Sequence, residues 1–304
     1  MELDNISKAL LNKIADLHEI PDGAVSFRKN GVGEIVKSTL HIRIEKKSDL
    51  SGIDVYVNSE CSNEACHIPV IVTESDLHDL TYNDFYIEDN AVVTIISGCG
   101  LHSDGESSHD GIHTFHIGKN TIVNYVENHL ATGLGKKLEL NPITKFIIGE
   151  GSVVNVNTTQ IGGVTFSKRK TKAVLEKNAI LNVNEKILTS FYEVAKTDFD
   201  VVLKGENSKC NIVSRSVAKN FSEQDFKSNL TGKNSCYGRV ECDAIVLDEA
   251  VVASQPKVVA KSNLAELCHE ATIGRIAKDQ LIKLMTLGLT EEEATNKIIE
   301  GFLK

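Results

Sequence analysis

The sequence predicts a mainly β protein built as a solenoid of stacked, strand-bearing coils. A pattern recurs along it: an apolar residue, a polar turn of Gly, Lys, Glu or Asn, then alternating strand residues. It reads IEDNAVVTI from Ile87, IGKNTIVNY from Ile117, IGEGSVVNV from Ile148 and LEKNAILNV from Leu175, with weaker copies from Leu203 and Leu230. Successive copies start 27 to 31 residues apart, and a fixed period in that range marks a repeat architecture. No unit carries a helical stripe, so the repeat is one of strands. A single coil cannot bury its apolar face alone, whereas a stack buries a continuous core. Asn120, Asn178, Asn207 and Asn234 fall where the turns need a tolerant backbone.

Residues 2–19 open the chain with Leu3, Ile6, Leu10, Ile14 and Leu17 at helical spacing, and Pro21 ends that helix. The alternating runs Leu40 to Ile44 and Ile53 to Val57 suit strands, and the polar run Asp76 to Asn83 suits a loop. After Gly274 helices take over. Lys278 to Leu287 presents Leu281, Leu284 and Met285 on one face. Thr290 to Glu293 is a capping box that starts a second helix, with Ala294, Ile298 and Phe302 as its stripe. The expected organisation is 1–80 (helix plus short strands), 81–274 (solenoid) and 275–304 (helices that cover the open end).

The composition excludes several classes. A net charge of −9 argues against general nucleic-acid binding, which needs a basic surface. No apolar run approaches a bilayer-spanning length, and the charged N-terminus has no signal-peptide core. Seven cysteines, an odd number in a long chain, suit a reducing cytoplasm better than a disulfide framework. Gly133 to Lys137 lacks the spacing of a phosphate-binding loop, so no nucleotide is expected on this chain.

The chemistry concentrates between Cys236 and Ile276, which holds Cys242, Cys268, His269 and Glu270. Thiolate, imidazole and carboxylate are the ligands of borderline-soft metals and iron–sulfur clusters. The separation of Cys242 from His269 is about one repeat, so the two fit neighbouring rungs. A free cysteine is equally a small buried hydrophobe, and His-Glu is equally a surface pair. Cys99, in Ile-Ser-Gly-Cys-Gly, reads as a thiol exposed on a glycine-flanked turn, or as an ordinary turn cysteine. His102, His109, His113 and His116 suit a solvated loop, or a transient metal or persulfide environment near Cys99. On a strand His109 and His113 would share one face and His116 the other. Cys61-x4-Cys66-His67 is a weak metal-like spacing, while Cys210 and Cys236 suit packing.

The segments Glu241-Cys242-Asp243, His269-Glu270-Ala271-Thr272 and Asp279-Gln280-Leu281 resemble the C-terminal core of the SUF-system scaffold proteins SufB and SufD. Cys242, His269 and Glu270 match SufB-like positions. Cys268 and the Ala-Thr-Ile-Gly ending at Gly274 are similar to SufD instead, so the chain reads as a blend, over about Val92 to the C-terminus. The resemblance implies a right-handed parallel β-helix and a cytoplasmic scaffold on which a transient iron–sulfur cluster is assembled. It implies cluster ligation by Cys242, Glu270 and His269, with Cys268 as a fourth candidate, and sulfur acceptance at Cys99 followed by relay through polar residues of the solenoid interior. It also implies a SufC-type ABC ATPase on the C-terminal helices, a cysteine desulfurase or other sulfur donor, apoprotein acceptors, and a homodimer through the last coils. Two rivals remain at this point: a β-helix metal-dependent hydrolase or acyltransferase using His102–His116, and a SufD-like adaptor that binds no cluster.

Overall fold

The computed structural model describes residues 3–304; residue 2, the first of the expected helix, lies outside them. Helix α1 (Asn5–Ala15) is capped by Asp4, whose carboxylate accepts from the Ser7 amide at 2.7 Å. It stops at Asp16, which adopts a left-handed conformation with φ 53°, five residues before Pro21. Two antiparallel hairpins follow, β1 (Ala24–Lys29) with β2 (Val32–Lys37), and β3 (Ile42–Lys46) with β4 (Gly52–Val57). The chain then runs through β5 (Ser62–Val72), β6 (Leu77–Ile87), β7 (Val92–His102), β8 (Glu106–Ile117), β9 (Ile122–Thr132), β10 (Lys137–Leu140), β11 (Ile143–Ile148) and β12 (Val153–Ile161). It continues through β13 (Phe166–Leu175), β14 (Ile180–Thr189), β15 (Val194–Leu203), β16 (Ser208–Ala218), β17 (Glu223–Gly232), β18 (Cys236–Val246), β19 (Val251–Ala260) and β20 (Ala265–Gly274). Helices α2 (Lys278–Met285) and α3 (Glu291–Phe302) end it.

The strands make a parallel β-solenoid of about eight turns. One sheet has the order β2-β1-β5-β7-β9-β12-β14-β16-β18-β20; the other runs β19-β17-β15-β13-β10-β8-β6-β4-β3, with β11 completing the rung of β10. Parallel stacking begins with β1 on β5 in the first sheet and β4 on β6 in the second. The polar run Asp76 to Asn83, expected as a loop, lies largely in β6, because Asp79, Thr81 and Asn83 face inward and are buried. The residue-80 boundary therefore falls inside a strand. At the corners Asn90, Asn120, Asn178 and Asn207 take φ between 53° and 66°, and each donates its amide to a carbonyl of the next coil. Asn234 has no positive φ; its side chain accepts from the Ser235 amide instead. The repeat also shifts there: Gly232, not Leu230, stands opposite Leu203. A Cβ at Gly232 would lie 2.8 Å from Cys236 Sγ and 2.9 Å from the Ala265 Cβ, so no apolar side chain fits.

Inward residues fill the coil interior with aliphatic ladders and a stack of Phe85, Phe115 and Phe146, centroids 4.3 and 4.9 Å apart. Helix α1 packs outside the first sheet, over β5, β7 and β9, burying Leu10, Leu11 and Ile14. Gly98 and Gly100 of β7 make room for it. A Cβ at 98 would lie 2.5 Å from the Ile14 carbonyl oxygen. Gly98→Leu is accordingly expected to lever α1 off the sheet, at an overpacking cost of about 1–3 kcal/mol. Native-state hydrogen exchange would read this as lost protection confined to Asn5–Ala15; unchanged protection there would refute the seating.

The capping box of α3 is present, with Thr290 Oγ1 accepting from the Glu293 amide at 3.2 Å and Glu293 Oε2 accepting from the Thr290 amide at 2.8 Å. The helices do not plug the end of the stack. Lys186 of β14 donates to the Lys304 carbonyl at 2.7 Å, which places the chain end beside the flank of the first sheet. The outer edges of β19 and β20 pair with no further strand. Among the described residues no helix is long and apolar enough to cross a membrane.

Candidate functional site

Strand alternation and in-register stacking together line up the inward side chains of successive coils. In the first sheet one such line reads Ser97, Glu127, Thr158, Glu185, Ser214 and Cys242. Every member is polar or a thiol, and each is between 1% and 6% exposed. Cys99 stands two residues along β7 from Ser97, on the same inward face and opposite His129 of β9. Five strand steps separate β7 from β18, roughly 24 Å at the usual spacing.

Charge in this line is neutralised from across the coil. Arg169 of β13 bonds Glu127, lies 3.6 Å from Glu185 through Nε, and contacts His129 Nδ1 at 3.1 Å. Glu185 also accepts from Thr197 at 3.2 Å and Ser214 at 2.8 Å. Burial alone would raise the pKa of Glu127, but Arg169 and then His129 hold it well below the usual carboxylate range. In Glu185 burial wins over Arg169 and the hydroxyls, and its pKa rises.

Around Cys99 the sequence expectation needs correction. The thiol is not exposed on a turn: it is 3% exposed within β7, because the flanking glycines are outward positions beneath α1. Burial first, then Asp79, Glu127 and Asp110, push its pKa well above the ordinary thiol value. It shares a cavity of about 10 Å³ with His109, His113, Glu127 and His129.

The histidines are also not in a loop; all but His102 lie in β8. His109 and His113 face inward, converging over Gly111, where a Cβ would lie 3.4 Å from His109 Nε2 and 2.7 Å from His113 Nε2. His109 Nδ1 bonds Asp79 Oδ2 at 3.0 Å, and Arg28 grips the same carboxylate. His116 stacks outside on Tyr86 at 5.0 Å, and His102 bonds Thr132.

His113 Nδ1 is buried with no partner, and burial lowers its pKa to about 4. A group whose folded pKa lies below its unfolded value stabilises fully above the unfolded value, near 6.5 for His, and loses that contribution as pH falls towards 4. Unfolding free energy should therefore drop by on the order of 2–3 kcal/mol from this residue as pH goes from about 6.5 to about 4. In His113→Phe, urea midpoints should fall less steeply across that window, the remaining slope including His129, His67 and His269, whose pKa values burial also lowers. An unchanged slope would refute it.

The C-terminal constellation is divided by the same alternation. Cys242 faces inward, 1% exposed, and burial raises its thiol to about 11 against the nearby Ser254 hydroxyl. His269 stands opposite Val240 and so shares that inward face; its Nε2 is buried without a partner. Cys268 and Glu270 stand opposite Arg239 and Glu241, on the outer face. There Arg239 bridges Glu241 and Glu270 at 2.8 Å each, and its hydrogen bond lowers the Glu270 pKa. Among the described residues of one chain, no three His, Cys, Asp or Glu side chains converge to hold a metal ion, either here or at His102–His116. Cys66 is fully buried with its thiol raised to about 12, and Cys210 and Cys236 pack in the core.

Sequence reading passed over Glu127, His129, Arg169 and Glu185. The signal was available in parity: Val123, Tyr125, Glu127 and His129 share one face of β9, so charges occupy positions that the strand pattern reserves for the core.

Residues 70–302 match the model of the family described as SUF system FeS cluster assembly, SufBD core domain. An iron-sulfur cluster assembly SufBD family protein of Methanocaldococcus jannaschii is 30% identical over 243 residues, covering 78% of this chain and 75% of its own length. One from Archaeoglobus fulgidus is 28% identical, covering 79% and 64% respectively. A chloroplastic one from Arabidopsis thaliana is 26% identical, covering 71% and 41%. The chain thus spans under two thirds of the latter two.

Proposed function

The chain belongs to the SufBD family of iron–sulfur cluster assembly proteins, and from that premise we propose that it is the scaffold on which a cluster is built, as cargo, from delivered sulfur and iron. The observation that carries this reading is the buried polar line from Ser97, beside Cys99, to Cys242. Hydrophobic cores do not maintain six consecutive polar rungs without compensation, since each buried polar group must find partners. A passage for small polar species accounts for the expense.

In this reading Cys99 accepts sulfur. Its thiolate attacks the outer sulfur of a donor persulfide, the donor S–S bond breaks, and the donor leaves as a thiolate. The Cys99 proton ends on the departing donor thiolate, and His113 and His129 border the same small cavity. The sulfur so held is destined for Cys242, the principal cluster ligand, with His269 beside it on the inward face. Glu270 joins only after parting from Arg239, and Cys268 shares that outer face. One chain supplies too few converging ligands, so the site is completed by a second copy joined through β19 and β20, whose exposed Val251, Val258 and Ile273 suit such pairing.

A SufC-type ATPase docks on the C-terminal helices. In support, α2 buries none of its residues, and Ile282, Met285 and Leu287 at its end are exposed. The hydrolase reading lacks a converging ligand set at the histidines, and the adaptor reading leaves the polar line without a use. Anaerobic reconstitution with iron and sulfide, comparing wild type with Cys242→Ala, tests the proposal: no cluster on the wild-type chain would overturn it.

A further inference from the structure

The two antiparallel hairpins and the first parallel coil border a cavity of about 190 Å³, with Lys46 and Leu50, both exposed, at its rim. That is below the usual size of ligand pockets, about 300–1,000 Å³, and suits a molecule of a few heavy atoms. Register sets one wall. Lys46 of β3, Ile53 of β4 and Asn83 of β6 stand opposite one another in turn, and Thr81 lies two residues along β6 from Asn83 on the same face.

The polar groups of this wall have donors to spare. Asn83 Oδ1 accepts from the Ile53 amide at 3.2 Å, which leaves the NH₂ group over. Thr81 Oγ1, on a residue 2% exposed, has no partner. Lys46 bonds only the Gly33 carbonyl, at 2.9 Å, among the described residues. No acidic residue is among the described residues lining the space, so the matching ligand is one that accepts.

Charge sets its valence. Arg28 and Lys47 also line the cavity, but Asp79 already neutralises the first, and Asp54 and Asp84 the second. Among the described residues Lys46 is the lining cation with no carboxylate partner. One negative charge is therefore met and a second is not. Val36, Leu50, Ile68 and Val70 join Ile53 in the lining, an apolar surface that gains from covering a hydrocarbon tail.

We propose that the cap cavity is a binding site for a short-chain monocarboxylate. The carboxylate accepts from Thr81 and Asn83, Lys46 supplies the charge, and the tail lies on the aliphatic wall. No bond is made or broken. A ligand held between β3 and β6 ties the hairpin cap to the first coil and stabilises the fold by mass action. Occupancy needs neither sulfur nor iron, so the site stands or falls separately from the scaffold reading.

n-Butyrate is the probe, titrated into the full chain carrying methyl-labelled Ile, Leu and Val and followed by NMR. The expected result is a saturable shift centred on the methyls of Val36, Ile53, Ile68 and Val70, half complete at about 1 mM. Acetate, two methylenes shorter, should bind about tenfold more weakly. Butyramide, which lacks the charge, should bind about fivefold more weakly, and succinate should leave the methyls unmoved at the same concentration. Lys46→Met should erase the preference for butyrate over butyramide. Thr81→Val should weaken butyrate about tenfold, the loss of one hydrogen bond to a charged group. Because it removes an unpaired buried hydroxyl, that variant should melt no lower than wild type, which separates weaker binding from loss of fold. No saturable shift, shifts centred elsewhere, equal binding of butyramide or succinate, or binding that survives both substitutions would each overturn the assignment.

Discussion

Cys242→Ala is expected to hold at least about tenfold less iron than wild type after anaerobic reconstitution, because the thiolate is the strongest ligand class for cluster iron in this constellation. The fold should survive. The change removes one sulfur atom from a packed interior, a cost of about 1 kcal/mol, so the two proteins should melt within a few degrees of each other. Cys99→Ala provides the contrast. Bulk sulfide bypasses the sulfur acceptor, so this variant should fill normally from inorganic sulfide and fail only when sulfur is offered as a persulfide. Wild-type iron content in Cys242→Ala would remove the cluster from this site. A filled Cys99→Ala with either sulfur source would remove Cys99 from the route.

Arg169→Met should be the most destabilising single substitution of the interior. Among the described residues the guanidinium is the sole cation between Glu127 and Glu185, with all three side chains at most 6% exposed. Removing one partner of a buried ion network leaves an uncompensated charge and costs about 3–5 kcal/mol. Glu127 answers by taking up a proton, so the deficit should be largest above the ordinary carboxylate pKa and shrink in acid. Arg169→Met with Glu127→Gln removes charge from both sides and should recover a substantial part of the loss in urea denaturation. That double variant has a second use. If the line serves only packing, a chain with restored stability should still pass persulfide sulfur from Cys99 to Cys242; if it serves passage, the handover should stay impaired. A loss below 1 kcal/mol in the single variant would mean that water already solvates the network.

The coils were legible because their determinants are local: the period, the alternation and the asparagine corners each lie within a few residues. The C-terminal helices were legible for the same reason, down to the Thr290–Glu293 cap. What stayed hidden depends on partners distant in sequence. Cys99 looked exposed because Gly98 and Gly100 read as turn residues, whereas Ile14, some 84 positions earlier, is what requires them to be glycine. Asp79 looked like loop polarity until Arg28 and His109 appeared around it. Cys242, Cys268, His269 and Glu270 looked like one set because sequence spacing gives the rung but not the face. Register alone sends Cys242 and His269 inward and Cys268 and Glu270 outward.

The solenoid is closed at one end and open at the other. At the closed end the ladder turns antiparallel, and Ile42 and Ile44 of β3 fill the core beneath it; at the other, β19 and β20 stop with their outer edges vacant. The edges of β2 and β3 are unpaired as well, but they belong to antiparallel hairpin strands of six and five residues, whereas β19 and β20 offer ten each. The two ends of the stack thus differ in the length of backbone edge they present, and the pairing proposed above uses the longer one.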